Sequence, residues 1–141
     1  MAVFDSSGKL IKTLVIGSLL ASTWGTTLAP STFGEFGGAL LVGNFSFAVS
    51  EINAFDPGTG AYSGALADAG GKRIINSGLW SLEFGNGGKN GNSNTLFFTA
   101  GINNDRDGLF GSILAIAEPG SFALLCVGLT GIALSRRRRL T

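Results

Sequence analysis

The chain has 141 residues, room for one domain, with a formal net charge of +1, no histidine and one cysteine, Cys126. Without histidine a Ser-His-Asp triad is excluded, and a single cysteine leaves no intrachain disulfide and no Cys/His metal site. Residues 1–117 carry six Lys/Arg and eight Asp/Glu, a net of −2, so the body lacks the basic face that nucleic-acid binding needs.

The 23 glycines and 11 phenylalanines suit short strands joined by turns better than long helices. Val3 to Ile11 predicts strand, tight turn, strand, because Asp5, Ser6 and Ser7 favour the turn and Gly8 allows a positive φ. A rival reading takes residues 9–29 as a signal peptide: Lys9 and Lys12 precede the apolar run from Thr13, and Thr27-Leu28-Ala29 is a loose cleavage site. The preceding Val3 to Gly8 is unusual for that role. Next come a segment around Trp24 to Pro30, a glycine-containing loop from Phe33 to Gly38, and an apolar strand from Ala39 to Phe45. Ile52 to Tyr62 again reads as strand, turn, strand around Asp56-Pro57-Gly58-Thr59-Gly60.

The pattern then recurs. Leu79 to Phe84 echoes Trp24 to Ala29, Asn94 to Gly101 echoes Ala39 to Asn44, and Leu109 to Ala115 echoes Ile52 to Phe55. Trp24 and Trp80 are 56 residues apart, as are Leu40 and Leu96, and Phe4-Asp5 matches Phe55-Asp56 at an offset of 51. A repeat of about 50 residues holding about four short strands points to propeller blades. The expected fold is therefore all-β over residues 1–115: a hairpin, one full blade from about 24 to 66, and most of a second from about 79 to 115. A closed propeller needs at least about four blades, so such a chain is a fragment, an assembly of copies, or an open curved sheet with exposed edges.

Five motifs in this order resemble the C-terminal third of an uncharacterised bacterial family with propeller-like repeats. They are Trp24 to Pro30, Leu40 to Phe45, Ile52 to Gly60, Gly78 to Gly87 and Leu96 to Asn103. The resemblance implies a propeller fold, further blades upstream, and no established activity.

Residues 117–141 have a different character. After Ala117-Glu118-Pro119-Gly120, the stretch Phe122 to Leu134 has no charge and only Thr130 as a polar side chain; Ser135 and Arg136 to Arg139 follow. A helix satisfies its own backbone groups and can enter hydrocarbon, and a span over 120–135 is short enough that the arginines must snorkel. Four arginines are costly to translocate and belong on the cytoplasmic side, which puts the body outside the cytoplasm. The order resembles PEP-CTERM sorting signals: Glu118 and Pro119, then the helix, then Arg136, Arg137, Arg138 and Arg139, with Ala117 where a first proline is usual. That resemblance implies an exosortase-type processing partner, a membrane anchor before processing, and an outer-surface or extracellular destination. An exported tail without a clear N-terminal leader implies a longer parent chain or a start that lies elsewhere.

The candidate sites are sparse. Asn103, Asp105 and Asp107 stand two apart before Gly108, a partial calcium loop; position 114, where a full loop places its bidentate acid, is Leu114. A solvated turn closed by Asx bonds fits the same residues. The loop Gly85 to Asn92 lacks the Gly-Lys-Ser/Thr order of a phosphate cradle and reads as a strand connection. Trp24 and Trp80 suit either sugar stacking or packing between repeats, and their equivalent places favour packing. Nothing pairs Asp56, Asp68, Glu83 or Asp105 for glycoside hydrolysis. The expected function is that of an exported surface or matrix protein, not an enzyme, without catalytic residues or cofactor, with extracellular polysaccharide a possible partner. The alternative is a fragment of a secreted propeller hydrolase or lactonase-like enzyme, which would depend on a divalent cation.

Overall fold

The computed structural model describes residues 1–15, 17–46 and 50–116. They form an all-β protein of nine strands: β1 (Ala2–Phe4), β2 (Leu10–Thr13), β3 (Thr23–Leu28), β4 (Leu40–Asn44), β5 (Ile52–Phe55), β6 (Tyr62–Ala65), β7 (Leu79–Phe84), β8 (Thr95–Gly101) and β9 (Asp107–Leu114). Each pairs antiparallel with its chain neighbour inside one of three sheets: β1-β2, β3-β4-β5-β6 and β7-β8-β9. Among the described residues these sheets do not close into a ring. No helix among them is long and apolar enough to cross a membrane. The helix expected over 120–135 lies outside the described residues.

The glycine-containing loop expected from Phe33 to Gly38 holds a short 3-10 turn, Gly34–Phe36. The segment that rivalled as a signal peptide is in strand at β2 and β3.

Three turns show why the hairpins close where they do. In each, an aspartate Oδ1 accepts from backbone amides a few residues ahead: Asp5 from Ser7 and Lys9, Asp56 from Gly58 and Thr59, Asp68 from Gly70 and Lys72. Ser7 and Thr59 add hydroxyl donors to Asp5 and Asp56 at 2.7 and 2.8 Å. The Ser7 hydroxyl on Asp5, and the Thr59 amide on Asp56, hold both carboxyls below their ordinary value of 3.8. A carboxylate with a lowered folded pKa stabilises above its unfolded pKa, and that contribution is lost as pH falls through the folded value. Replacing both by Asn in the D5N/D56N variant is expected to flatten the loss of Tm between neutral pH and about pH 3, read by thermal melts across that range. An equal acid-induced drop in both proteins would show that the turns do not supply it.

The sheets stack face to face. Alternation along β4 and β5 sends Leu41, Ile52 and Ala54 to one side, where they meet Leu79, Leu82, Leu96, Phe98 and Ala100 of the third sheet. Val42 and Phe55 point to the other side and meet Val15, with Met1, Leu14 and Leu20 packed around them. The middle sheet is thus covered on both faces, and every residue of β5 is buried. Two buried asparagines tie the connection before β3 to this sheet. Asn44 Nδ2 and Asn53 Nδ2 both donate to the Leu19 carbonyl, and Asn44 Oδ1 accepts from the Ala21 amide at 3.1 Å.

The 56-residue spacing reappears as strand register. Leu28 pairs with Leu40 and Phe84 with Leu96; Thr26 pairs with Val42 and Leu82 with Phe98. Shifting the first pair of strands by 56 positions therefore reproduces the second. Both ladders also slip at the same place, between Thr23 and Thr26 in β3 and between Leu79 and Ser81 in β7. Each slip leaves one extra residue on its strand, which is a β-bulge.

Candidate binding surface

The bulges fall on the two tryptophans. Trp80 is the extra residue of β7, and Trp24 lies inside the corresponding irregularity of β3. A bulge bends its strand and turns a side chain out of the alternating pattern, so both indoles leave the sheet faces. They are brought together because β3 and β7 adjoin at Gly25. A Cβ there would stand 2.8 Å from the Leu82 backbone nitrogen and 2.9 Å from the Ser81 carbonyl carbon, so only glycine admits this approach.

The two indoles meet edge to face, with centroids 4.6 Å apart and planes inclined at 62°. Phe45 joins them, at 5.7 Å from Trp24 and 5.9 Å from Trp80. The cluster is not buried: Trp24 is 56% exposed and Trp80 40%. The packing role expected for the pair is thus met between the two rings, while about half of their surface faces solvent.

The polar side of this surface comes from the turn after β8. Asn103, Asn104 and Asp105 have φ of 54°, 56° and 60°, three consecutive residues in the left-handed region. Such runs are rare because an L side chain crowds its own carbonyl; Asn and Asp tolerate the region best. A bridge between Ile102 and Asp107 closes the turn. The turn folds the Asp105 carboxylate back over Gly101, where a Cβ would stand only 1.8 Å from Oδ1. Asp105 Oδ1 there accepts from the Trp80 indole N–H at 3.3 Å. A concavity of about 480 Å³ lies alongside, lined by Trp80, Thr99, Asp105, Arg106, Asp107 and Phe110. It is shallow and open to solvent over most of its extent.

The calcium candidates are therefore divided between two partners. Asn103 Nδ2 donates to Asp107 Oδ2 at 2.6 Å, while Asp105 faces the Trp80 indole. Among the described residues no group of three or more His, Cys, Asp or Glu side chains is placed to hold a metal ion. Asp56 and Asp68 serve the amides of their own turns. In the loop from Gly85 to Asn92 the amides are likewise engaged internally: Gly87 donates to the Gly91 carbonyl, and Gly88 to Asn86 Oδ1. The sorting residues Glu118, Pro119, Arg136, Arg137, Arg138 and Arg139 lie outside the described residues.

Sequence reasoning placed a turn at Asn103 to Gly108 but passed over its left-handed backbone and the part Gly101 plays beneath it. The available signal was the run Asn103-Asn104-Asp105 directly after a strand, since these residue types are the ones that accept positive φ.

No protein-family profile and no solved structure matches the chain. An uncharacterised protein of Acanthamoeba polyphaga mimivirus is 32% identical to it over 118 residues, an alignment that takes in 80% of this chain and 26% of the viral one. The chain thus spans about a quarter of the length of the curated relative it matches.

Proposed function

We propose that the chain is an exported, non-enzymatic β-repeat protein of the cell surface or extracellular matrix, delivered by a PEP-CTERM-like tail. In this reading its sheets are successive propeller-type blades, and its body binds or builds matrix. The carrying observation for delivery is the order at the end of the chain: Glu118-Pro119, an uncharged apolar stretch, then Arg136 to Arg139. The blade reading is supported by two sheets in matching register, stacked face to face, with their first strands β3 and β7 side by side at Gly25.

The test joins a cleavable export leader to the full chain and places a reporter enzyme that is active only outside the cytoplasm ahead of Ala117. The expected result is reporter activity outside the cytoplasm and retention in the membrane fraction. Replacing Arg136 to Arg139 by glutamine should release most of the reporter from that fraction, because the cost of translocating the four charges is gone. Equal retention of both proteins, or a soluble reporter with the tail intact, would overturn the sorting role.

A further inference from the structure

The geometry points to a carbohydrate site on this chain, formed by Trp24 and Trp80 with the left-handed turn Asn103 to Asp105, and suited to a neutral polysaccharide. The inference rests on the proposed surface role only in supplying the setting in which such a ligand is met.

Four linked features converge there. First, both tryptophans of the chain lie at this one spot, each at the irregularity of its strand, and both keep about half of their surface open. Bulges are enriched where a side chain must be re-aimed, and an exposed aromatic cluster marks a contact surface rather than a core. Second, the strain of three consecutive left-handed residues is stored beside the indoles, and strain of this kind gathers at functional positions. Third, that strain has a visible product: Asp105 is carried over Gly101 onto the Trp80 N–H, which fixes the indole plane before any ligand arrives. Fourth, the concavity beside Trp80 presents polar groups at its rim. Asp105 uses only Oδ1 on the indole, and among the described residues the Arg106 guanidinium has no ion-pair partner.

The ligand class follows from these parts. A pyranose ring has an apolar face of C–H groups and a rim of hydroxyls, so it matches an aromatic surface flanked by carboxylates, a hydroxyl and a guanidinium. A planar hydrocarbon would desolvate the Arg106 guanidinium and the second oxygens of Asp105 and Asp107 without offering them a hydrogen bond, which is costly. A uronic acid polymer meets two carboxylates against one guanidinium, so neutral sugars are favoured over acidic ones.

The assay needs no label, because Trp24 and Trp80 are the only tryptophans and both belong to the site. The purified full chain is titrated with cellohexaose and with mannohexaose, and tryptophan emission is followed; alginate oligomers serve as the acidic comparator. The expected result is a saturable emission change with at least one neutral hexamer and a response to alginate weaker by about tenfold or more, a difference of about 1.4 kcal/mol. Gly101→Ala retains both tryptophans as reporters but sets a Cβ 1.8 Å from Asp105 Oδ1 and 3.0 Å from Trp80 Nε1, so it displaces the carboxylate and breaks its hold on the indole. It should weaken the neutral-sugar response by about tenfold while the far-UV spectrum stays that of the parent. Asp105→Asn removes one of the two carboxylates that disfavour an acidic sugar, so it should bring the alginate response to within about threefold of the neutral one; an unchanged preference would overturn the assignment of Asp105 to the site. Unchanged emission with both neutral hexamers would overturn the site. So would a change that follows protein concentration instead of sugar, which would make a second copy the occupant of the surface. The reporter experiment above reads location alone and this titration reads binding alone, so either reading fails without the other.

Discussion

Replacing Leu79 by alanine is expected to lower stability by about 3–5 kcal/mol, much of what a domain of this size has in total. Leu79 is completely buried and belongs to the third sheet, and its side chain enters the layer where Leu41 and Ile52 of the middle sheet pack. The cost has two parts, the lost transfer free energy and the hole left between two layers that cannot collapse independently. Gly43 offers a sharper form of the same experiment. A Cβ on Gly43 would stand 2.7 Å from Leu79 Cδ2, so the G43A protein is overpacked by about one methyl group and should lose about 1–3 kcal/mol. In the L79A background that methyl enters the vacated space. The double variant should therefore be more stable than the sum of the single effects implies, by about 1–2 kcal/mol in a denaturant-based cycle. Additive losses would show that Gly43 and Leu79 do not share the space between the sheets.

The second large effect is expected at Gly78. It has φ +66°, and a Cβ would stand 2.2 Å from the Gly101 carbonyl oxygen and 3.0 Å from the Gly101 carbonyl carbon. Both obstacles are backbone, so no rotamer change relieves them. The Gly101 amide also donates to the Gly78 carbonyl at 2.7 Å, and the Gly78 amide donates to the Ser46 carbonyl at 2.8 Å. A shift at Gly78 thus breaks the tie that anchors the end of β8. Gly78→Ala should cost about 3 kcal/mol or more, combining left-handed strain with a lost backbone bond. Gly8 is the control: it has φ +83° with nothing within 4 Å of a built Cβ, so Gly8→Ala should cost only the conformational penalty of about 1–2 kcal/mol. Equal losses in the two variants, read as shifts in Tm and in denaturant midpoint, would mean that the contact with Gly101 is relieved without cost. Because Gly101 also carries the Asp105 carboxylate, the G78A variant should disturb the Trp80 surface, whereas G8A should leave it intact.

Much of the architecture was legible before any coordinate. The hairpin turns at Asp5 and Asp56 close through bonds to amides two to four residues away, so residue identity and spacing suffice to find them. The 56-residue offset, visible as Trp24 with Trp80 and Leu40 with Leu96, sets the pairing as well as the order of strands. Side chains alternate with period two, so a slip of one position would turn the apolar set out of the core. The apolar character of Leu40 to Gly43 and Leu96 to Thr99 suits central strands covered on both faces; Leu41 to Gly43 are buried, whereas Phe97 is half-buried and Thr99 exposed, because among the described residues the third sheet is covered on one face only.

The surface around the tryptophans was beyond that reach. Trp24 and Trp80 read as repeat-equivalent packing residues because composition and spacing do not reveal a bulge. The bulge arises from the balance of two whole ladders, β3 with β4 and β7 with β8. Their approach depends on Gly25 meeting the backbone of Ser81 and Leu82, a contact between residues more than fifty positions apart. Asn103, Asp105 and Asp107 have the spacing of a cation loop, yet Asp105 faces Trp80 because Gly101 leaves room for its carboxylate. By itself, then, the sequence determined the turns and the order of the strands, because these follow from short-range hydrogen bonds and two-residue periodicity. Only the tertiary structure decided which faces stack and which side chains share a site, because those outcomes rest on steric fit between segments that meet only after the chain has folded.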